Sequence, residues 1–107
     1  MKLGRQIEIV GRVGSQPEIV NEIDNKKLIR FSVGIVNAIQ SDGFSGQRTS
    51  WQVVNALNST ATEILKMRLR LGETVRVSGT ELIDENTDIL GNKKYVYEIV
   101  AQNVTVI

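Results

Sequence analysis

Residues 50–79, SWQVVNALNSTATEILKMRLRLGETVRVSG, change their hydrophobic period twice and so decide the fold class. Up to Leu57 the pattern is that of a strand, whereas Ala61, Ile64 and Leu69 recur at helical spacing. An alternating strand pattern returns directly after the helix. These elements are too closely spaced for a series of parallel βαβ crossovers, so the segment favours an antiparallel architecture with one helix inserted between two strands.

Strand patterns continue on both sides of this segment. Residues 5–14, RQIEIVGRVG, and residues 28–36, LIRFSVGIV, alternate with a period of two, and residues 93–107, KKYVYEIVAQNVTVI, supply the last strand or pair of strands. The count is about five strands, with the helix after the third. We therefore predict a mainly β fold, a five-stranded antiparallel OB-fold barrel with one α-helix between strands 3 and 4, as a single domain over residues 1–107.

Local signals predict the ends of the helix and two connections. Thr60 and Glu63 have the spacing of a capping box, and Gly72 is placed as the left-handed stop. Residues 37–50, NAIQSDGFSGQRTS, are rich in glycine and polar residues and are predicted to form a mobile connection. Residues 84–92, DENTDILGN, are predicted to form a second polar connection.

The composition argues against an enzyme and against a bound cofactor. The 107 residues contain no cysteine and no histidine, which excludes disulfides, thiol nucleophiles and the usual zinc sites. Asp84, Asn86 and Asp88 begin a calcium-loop spacing, but Ile89 stands where glycine is needed and Tyr95 where glutamate is needed, so no metal site is expected. The N-terminal residues lack a long apolar run, and we expect a cytoplasmic protein.

Taken in order, five pieces of the chain resemble the bacterial single-stranded DNA-binding protein family over residues 6–107. The pieces are IEIVGRVGSQPEI (7–19), FSVGIVN (31–37), RTSWQVV (48–54), LRLGETVRVSG (69–79) and GNKKYVYEIVAQNVTVI (91–107). The resemblance implies an OB-fold barrel, assembly as a homotetramer or else a dimer, and a nucleoid-associated role in DNA replication, recombination or repair. Single-stranded DNA is the implied partner, and replication or repair proteins are further candidates.

The resemblance also exposes departures from the family pattern. The family usually presents several aromatic rings to the bases, and the matching positions here are Ile39, Trp51, Leu57 and Asn86, so one ring of four is present. The hairpin before the last strand is usually basic, whereas here it is acidic. Residues 1–107 match the OB-fold core and not the acidic C-terminal tail. We therefore expect weaker binding than that of a typical member.

Trp51 has two interpretations. As an exposed platform it would stack on a base, worth about 1–3 kcal/mol, and as a core residue it would seal one side of the barrel. Its polar neighbours Arg48, Thr49 and Gln52 make a poor lining for a buried ring, which favours stacking. Phe44, between two glycines, either folds back on the barrel or stands out to meet a ligand.

The remaining candidate DNA contacts lie on predicted strands. Tyr95 and Tyr97 share one face of the last strand, where they either pack against the barrel or contact DNA. Basic residues on strand faces are better candidates for phosphate contact than those on the helix. The predicted phosphate contacts are Arg5, Arg12, Arg48, Arg76, Lys93 and Lys94.

Two functions from different classes follow from the sequence. The first is sequence-independent binding of single-stranded DNA, with bases stacked on Trp51 and basic strand faces along the phosphates. The second is an interaction module, a divergent barrel resembling primosomal relatives, which binds DNA weakly and mainly contacts a protein partner. The acidic hairpin motivates the second function.

Overall fold

The computed structural model describes residues 2–24 and 26–107. Strands account for most of this part of the chain, and one helix interrupts them. The elements are, in order, β1 (Lys2–Val13), β2 (Glu18–Ile23), β3 (Lys26–Ser41), β4 (Phe44–Leu57), α1 (Asn58–Met67), β5 (Thr74–Thr87) and β6 (Lys93–Val106). No helix in these two ranges is long and apolar enough to cross a membrane.

Five of the strands form a closed ring. Hydrogen-bonded neighbours follow the order β1-β5-β6-β4-β3, and a short ladder that places Arg12 opposite Gly34 joins β1 back to β3. α1 lies between the third and fourth strands of the ring, as predicted. β2 lies outside the ring because it pairs only with β3. The predicted five-strand count therefore describes the ring, and β2 is an additional edge strand.

One ladder of the ring differs from the predicted antiparallel pattern. β4 and β6 run parallel, with Val53 opposite Glu98, while the other ladders are antiparallel. The cause is that the chain reverses twice between them, once through α1 into β5 and once through the β5–β6 hairpin. Parallel strands need such a long connection, and α1 together with β5 supplies it.

The core fills the inside of the ring, with α1 packed against it. The alternation of β3 predicts that Ile29, Phe31, Val33 and Ile35 point inward; the first three are buried and Ile35 is partly buried. From the helical segment, the buried residues are Ala61, Ile64 and Leu69. The remaining members of the core are Val13, Val54, Ala56, Val75, Val77, Ile99, Ala101 and Val104.

The predicted mobile connection at residues 37–50 is wrong. β3 continues to Ser41 and β4 begins at Phe44, so only Asp42 and Gly43 form the turn, with Gly43 at a φ of 74°. The paired strands satisfy each other's backbone hydrogen bonds well beyond the barrel. Because little covers this projecting hairpin, its side chains are mostly polar, and that composition resembles a loop.

The predicted helix ends are also wrong. α1 begins at Asn58, before the Thr60 capping box, and the preceding Leu57 makes no side-chain cap. It ends at Arg68 in the left-handed conformation, at a φ of 50°, rather than at Gly72. The early end turns the chain so that Leu69 is buried, with its carbonyl oxygen accepting a hydrogen bond from Gln16 Nε2 at 2.9 Å.

Candidate nucleic-acid interface

The Trp51 side chain lies on the outer face of β4. Val54 and Ala56 on the same strand point into the core, and alternation therefore directs Trp51 outward. The side chain is 61% exposed, which excludes the core interpretation. An aromatic surface of this size on a small strand-built protein is available to stack on a planar ligand.

Two glycines create the seat on which the Trp51 ring lies. Gly34 stands directly opposite Trp51 across the β3–β4 ladder, and a Cβ atom there would lie 2.8 Å from Cζ3 of the indole. A Cβ atom on Gly14 would lie 2.8 Å from Cη2. The Gly14 N–H donates to the Ser32 carbonyl oxygen at 2.8 Å, which anchors this part of the seat to β3. The ring therefore packs flush against backbone while most of its surface faces solvent.

Sequence reasoning missed this seat. Gly14 was visible as a glycine that ends a strand pattern, and Gly34 as a glycine inside one. A glycine in a strand often marks a close approach by another group, so a signal existed. The sequence did not show that both glycines meet one tryptophan, because that follows only from the strand register.

Adding a methyl group to the seat is expected to weaken ligand binding without removing the ring. In Gly14→Ala, the new Cβ would collide with the indole and tilt it away from its seat. We expect a shifted Trp51 emission maximum, an unchanged fold and a loss of about 1 kcal/mol in affinity for single-stranded DNA, the lower end of the stacking range. Emission spectra and oligonucleotide titration would measure this.

Gln47→Ala provides the matched control for that variant. Gln47 is exposed on the same face of β4 as Trp51 and leaves both glycines untouched. Its spectrum and affinity should equal those of the unmodified protein. An unshifted spectrum in Gly14→Ala would contradict the role given to the seat.

Among the predicted phosphate contacts, Arg12 lies nearest in register to the ring. Arg12 on β1, Gly34 on β3 and Trp51 on β4 occupy one row across three adjacent strands. Arg12 is exposed and takes part in none of the ion pairs found within residues 2–24 and 26–107. Arg48 is also exposed, but alternation places it on the opposite face of β4 from Trp51.

Three of the other predicted phosphate contacts already have carboxylate partners. The pairs of Arg76 and Lys93 are exposed on both sides and contribute only about 0–1 kcal/mol each, so they do not prevent a phosphate contact. Arg5 is itself exposed, but its partner Glu81 is buried, and withdrawing Arg5 would leave that carboxylate without its charged partner. The three pairs are Arg5–Glu81 at 2.9 Å, Arg76–Glu8 at 3.4 Å and Lys93–Glu85 at 3.4 Å. The last predicted phosphate contact, Lys94, is exposed and lies on the face of β6 opposite to Lys93.

The other aromatic candidates do not gather around Trp51. Phe44 is the first residue of β4, 63% exposed, with its ring over Gly46 rather than on the barrel. It lies seven positions before Trp51 on β4, a spacing of about 23 Å along the strand. Tyr95 and Tyr97 share the face of β6 that carries Ile99 further along, and both remain about half exposed. The structure therefore gives dispersed aromatic surfaces, with Trp51 as the ring seated on two glycines of the barrel in the Arg12 row.

Comparison with known proteins places this arrangement in a family. The model of the "Single-strand binding protein family" matches residues 5–107. The chain belongs to the single-strand binding protein family. The resemblance predicted from the sequence is thus confirmed.

Relatives of this family member are found in animals and bacteria. It is 29% identical over 99 residues to a protein of Drosophila melanogaster named "Single-stranded DNA-binding protein, mitochondrial". This match covers 92% of this chain and 67% of the relative. It is 26% identical over 100 residues to "Single-stranded DNA-binding protein" of Rickettsia typhi. This second match covers 92% of this chain and 66% of the relative. The family member thus spans about two thirds of these curated relatives.

Solved structures share the fold. The small single-stranded DNA-binding protein from Streptomyces coelicolor superposes with a TM-score of 0.78 at 21% identity, covering 98% of this chain and 95% of that one. A Plasmodium falciparum SSB in complex with ssDNA superposes with a TM-score of 0.75 at 19% identity, covering 95% and 93%. The predicted OB-fold class is confirmed.

Proposed function

We propose that this family member binds single-stranded DNA without sequence preference. The observation that carries the proposal is the exposed Trp51 ring, seated on Gly14 and Gly34 with Arg12 in the same row. Every base has a π-face, so stacking on such a ring tolerates any sequence, and nearby cations follow the phosphates. The names of the Drosophila and Rickettsia relatives support the same activity.

Trp51 is the only tryptophan, so its fluorescence reports on this site directly. Titration with poly(dT) at low salt should quench the emission if bases stack on the indole. Poly(dA) and poly(dC) should quench it as well, because the proposed contact does not depend on base identity. Unchanged emission, together with no retention of labelled oligonucleotide at micromolar protein, would refute the proposal.

The salt dependence should report the number of phosphate contacts. With about four such contacts, the logarithm of the association constant should fall against the logarithm of salt concentration with a slope of about −3. Arg12→Gln should make that slope shallower by about 0.7, because one phosphate contact is lost. Lys66→Gln, which changes an exposed lysine on α1, should leave the slope unchanged.

The same proposal includes a homo-oligomer, with a tetramer as the first expectation and a dimer as the second. β1 pairs with β5 along Lys2–Arg12, while its only other ladder within the described residues, to β3, begins at Arg12. Most of one β1 edge therefore offers backbone groups to a second copy. Several copies would multiply a site with one seated ring into useful avidity, and light scattering would measure the mass.

We place this binding in DNA replication, recombination or repair, where exposed single strands occur. The alternative is an interaction module with weak DNA affinity, and the acidic residues of the β5–β6 hairpin favour it. The fluorescence titration separates the two functions, since a protein-binding module would leave Trp51 emission unchanged. No catalytic step is part of either proposal.

A further inference from the structure

The β5–β6 hairpin ends in an exposed apolar tip. Ile89 is 100% exposed and Leu90 is 81% exposed, the two most exposed large apolar side chains in the described part of the chain. Large aliphatic side chains presented this fully to solvent are a feature of interaction surfaces. We call Ile89 and Leu90 the hairpin tip.

The backbone holds the hairpin tip in one conformation. Asp88 Oδ1 accepts hydrogen bonds from the N–H groups of Leu90 at 2.9 Å and Asn92 at 2.8 Å. The Gly91 N–H donates to the Asp88 carbonyl oxygen at 3.0 Å, and the Asp88 N–H donates to the Asn92 carbonyl oxygen at 2.9 Å. The turn is therefore preorganised, and docking the tip would order little additional chain.

A groove of about 490 Å³ on the same molecule has the complementary character. It lies between β2, the start of β3 and the start of α1, and its apolar lining is Ile23, Leu28 and Leu57. Its volume falls within the range of about 300–1,000 Å³ that holds small ligands, which is enough for two aliphatic side chains. We call it the β2 groove.

The charges at the two surfaces are also complementary. The β2 groove carries Lys26 and Lys27 against Asp24, a net positive charge of one. Neither lysine takes part in an ion pair within residues 2–24 and 26–107. The hairpin around the tip carries a net negative charge of one, from Asp84, Glu85 and Asp88 against Lys93 and Lys94.

The two surfaces lie at opposite ends of the molecule. From the parallel pair Val53 and Glu98, β6 runs back to the hairpin tip, whereas β4 runs forward to Leu57 in the groove. Along the strands, Lys93 at the start of β6 and Leu57 are about 30 Å apart at the usual rise per residue, and the hairpin tip lies beyond Lys93. One chain therefore cannot fill its own groove, and a second copy can.

We propose that the hairpin tip of one copy docks in the β2 groove of another. Such a contact joins two different surfaces, so it propagates from copy to copy instead of closing as a two-fold pair does. It would link neighbouring oligomers into a chain. The contact needs no DNA, and its failure would leave the proposed DNA binding intact.

Sedimentation velocity of the full chain at low salt and without DNA tests the contact. We expect the sedimentation coefficient to rise with protein concentration beyond a closed oligomer. Ile89→Ser with Leu90→Ser should weaken this association about tenfold or more, as for central apolar anchors of an interface. Ile23→Ser in the groove should act in the same direction. Ile19→Ser, which removes an exposed apolar residue of β2 outside the groove, should have no effect.

Charge reversal gives a second, independent test. Lys27→Glu should weaken the association, and adding Glu85→Lys on the hairpin should restore part of it. Binding to an oligonucleotide too short for two copies should stay unchanged in the tip variant. Absence of concentration-dependent growth in the unmodified chain, or equal growth in the tip and groove variants, would overturn the proposal.

Discussion

Trp51→Ala is expected to raise the dissociation constant for poly(dT) about 5- to 150-fold, the equivalent of the 1–3 kcal/mol that a stacked base contributes. The ring is 61% exposed and lies outside the core, so its loss should leave the fold intact. Fluorescence is lost with the ring, and anisotropy of a labelled oligonucleotide would measure the affinity. Circular dichroism and thermal unfolding would show that the fold is retained.

Trp51→Phe is the matched variant for that experiment. Phenylalanine keeps a ring over Gly14 and Gly34 while removing the larger indole, so we expect an affinity between those of the unmodified protein and Trp51→Ala. Phe44→Ala removes another exposed ring, about 23 Å along β4, and should cost less because that ring is not seated in the Arg12 row. Equal affinities of Trp51→Ala and the unmodified protein would leave only electrostatic contacts as the mechanism.

Gly11→Ala is expected to lower the free energy of unfolding by about 3 kcal/mol, the upper end of the range for overpacking. Its Cβ would collide with the Gly34 carbonyl oxygen and would lie 2.8 Å from Val33 Cγ1. Both neighbours belong to the stretch of β3 whose ladder with β1 closes the ring. The obstructing atom is backbone and cannot rotate away, so the strands must separate. Urea unfolding followed by circular dichroism would measure the loss.

Gly4→Ala is the control on the same strand. Its Cβ would lie 3.0 Å from Thr80 Cγ2 and 3.4 Å from Leu82 Cδ2, which are ends of side chains that can adjust. We expect a change within about 0.5 kcal/mol, typical of surface substitutions. If the two variants lost equal stability, the effect would be a general cost of alanine in β1 and not a barrier to ring closure.

Much of the fold was predictable from the sequence because it depends on how apolar residues are spaced within each strand and helix. Alternation identified the inward residues Ile29, Phe31, Val33 and Ile35, and helical spacing identified Ala61 and Ile64; all are buried except Ile35, which is partly buried. The period of a strand or helix is set by backbone geometry, so burial of one face leaves a pattern in the sequence. The order of these elements then indicated the five-stranded ring.

The projecting β3–β4 hairpin was not predictable in this way. Its residues are exposed on both faces, so no burial imprints an alternation on Gln40, Ser45 or Gln47. What holds these strands together is backbone pairing, which any residue with a free N–H and carbonyl can make. Composition therefore suggested a loop where the structure has paired strands, and it placed Phe44 in a loop instead of at the start of β4.

The sequence by itself indicated the order of strands and helix along the chain, the core positions that follow a strand or helix period, and one tryptophan among polar neighbours. Only the tertiary structure decided that Gly14 and Gly34 seat that ring, and that Arg5 meets Glu81 across most of the chain's length. The reason is physical: spacing along the chain reports which face of an element is buried, but the register between distant strands decides which side chains touch. The Trp51 site is a product of that register.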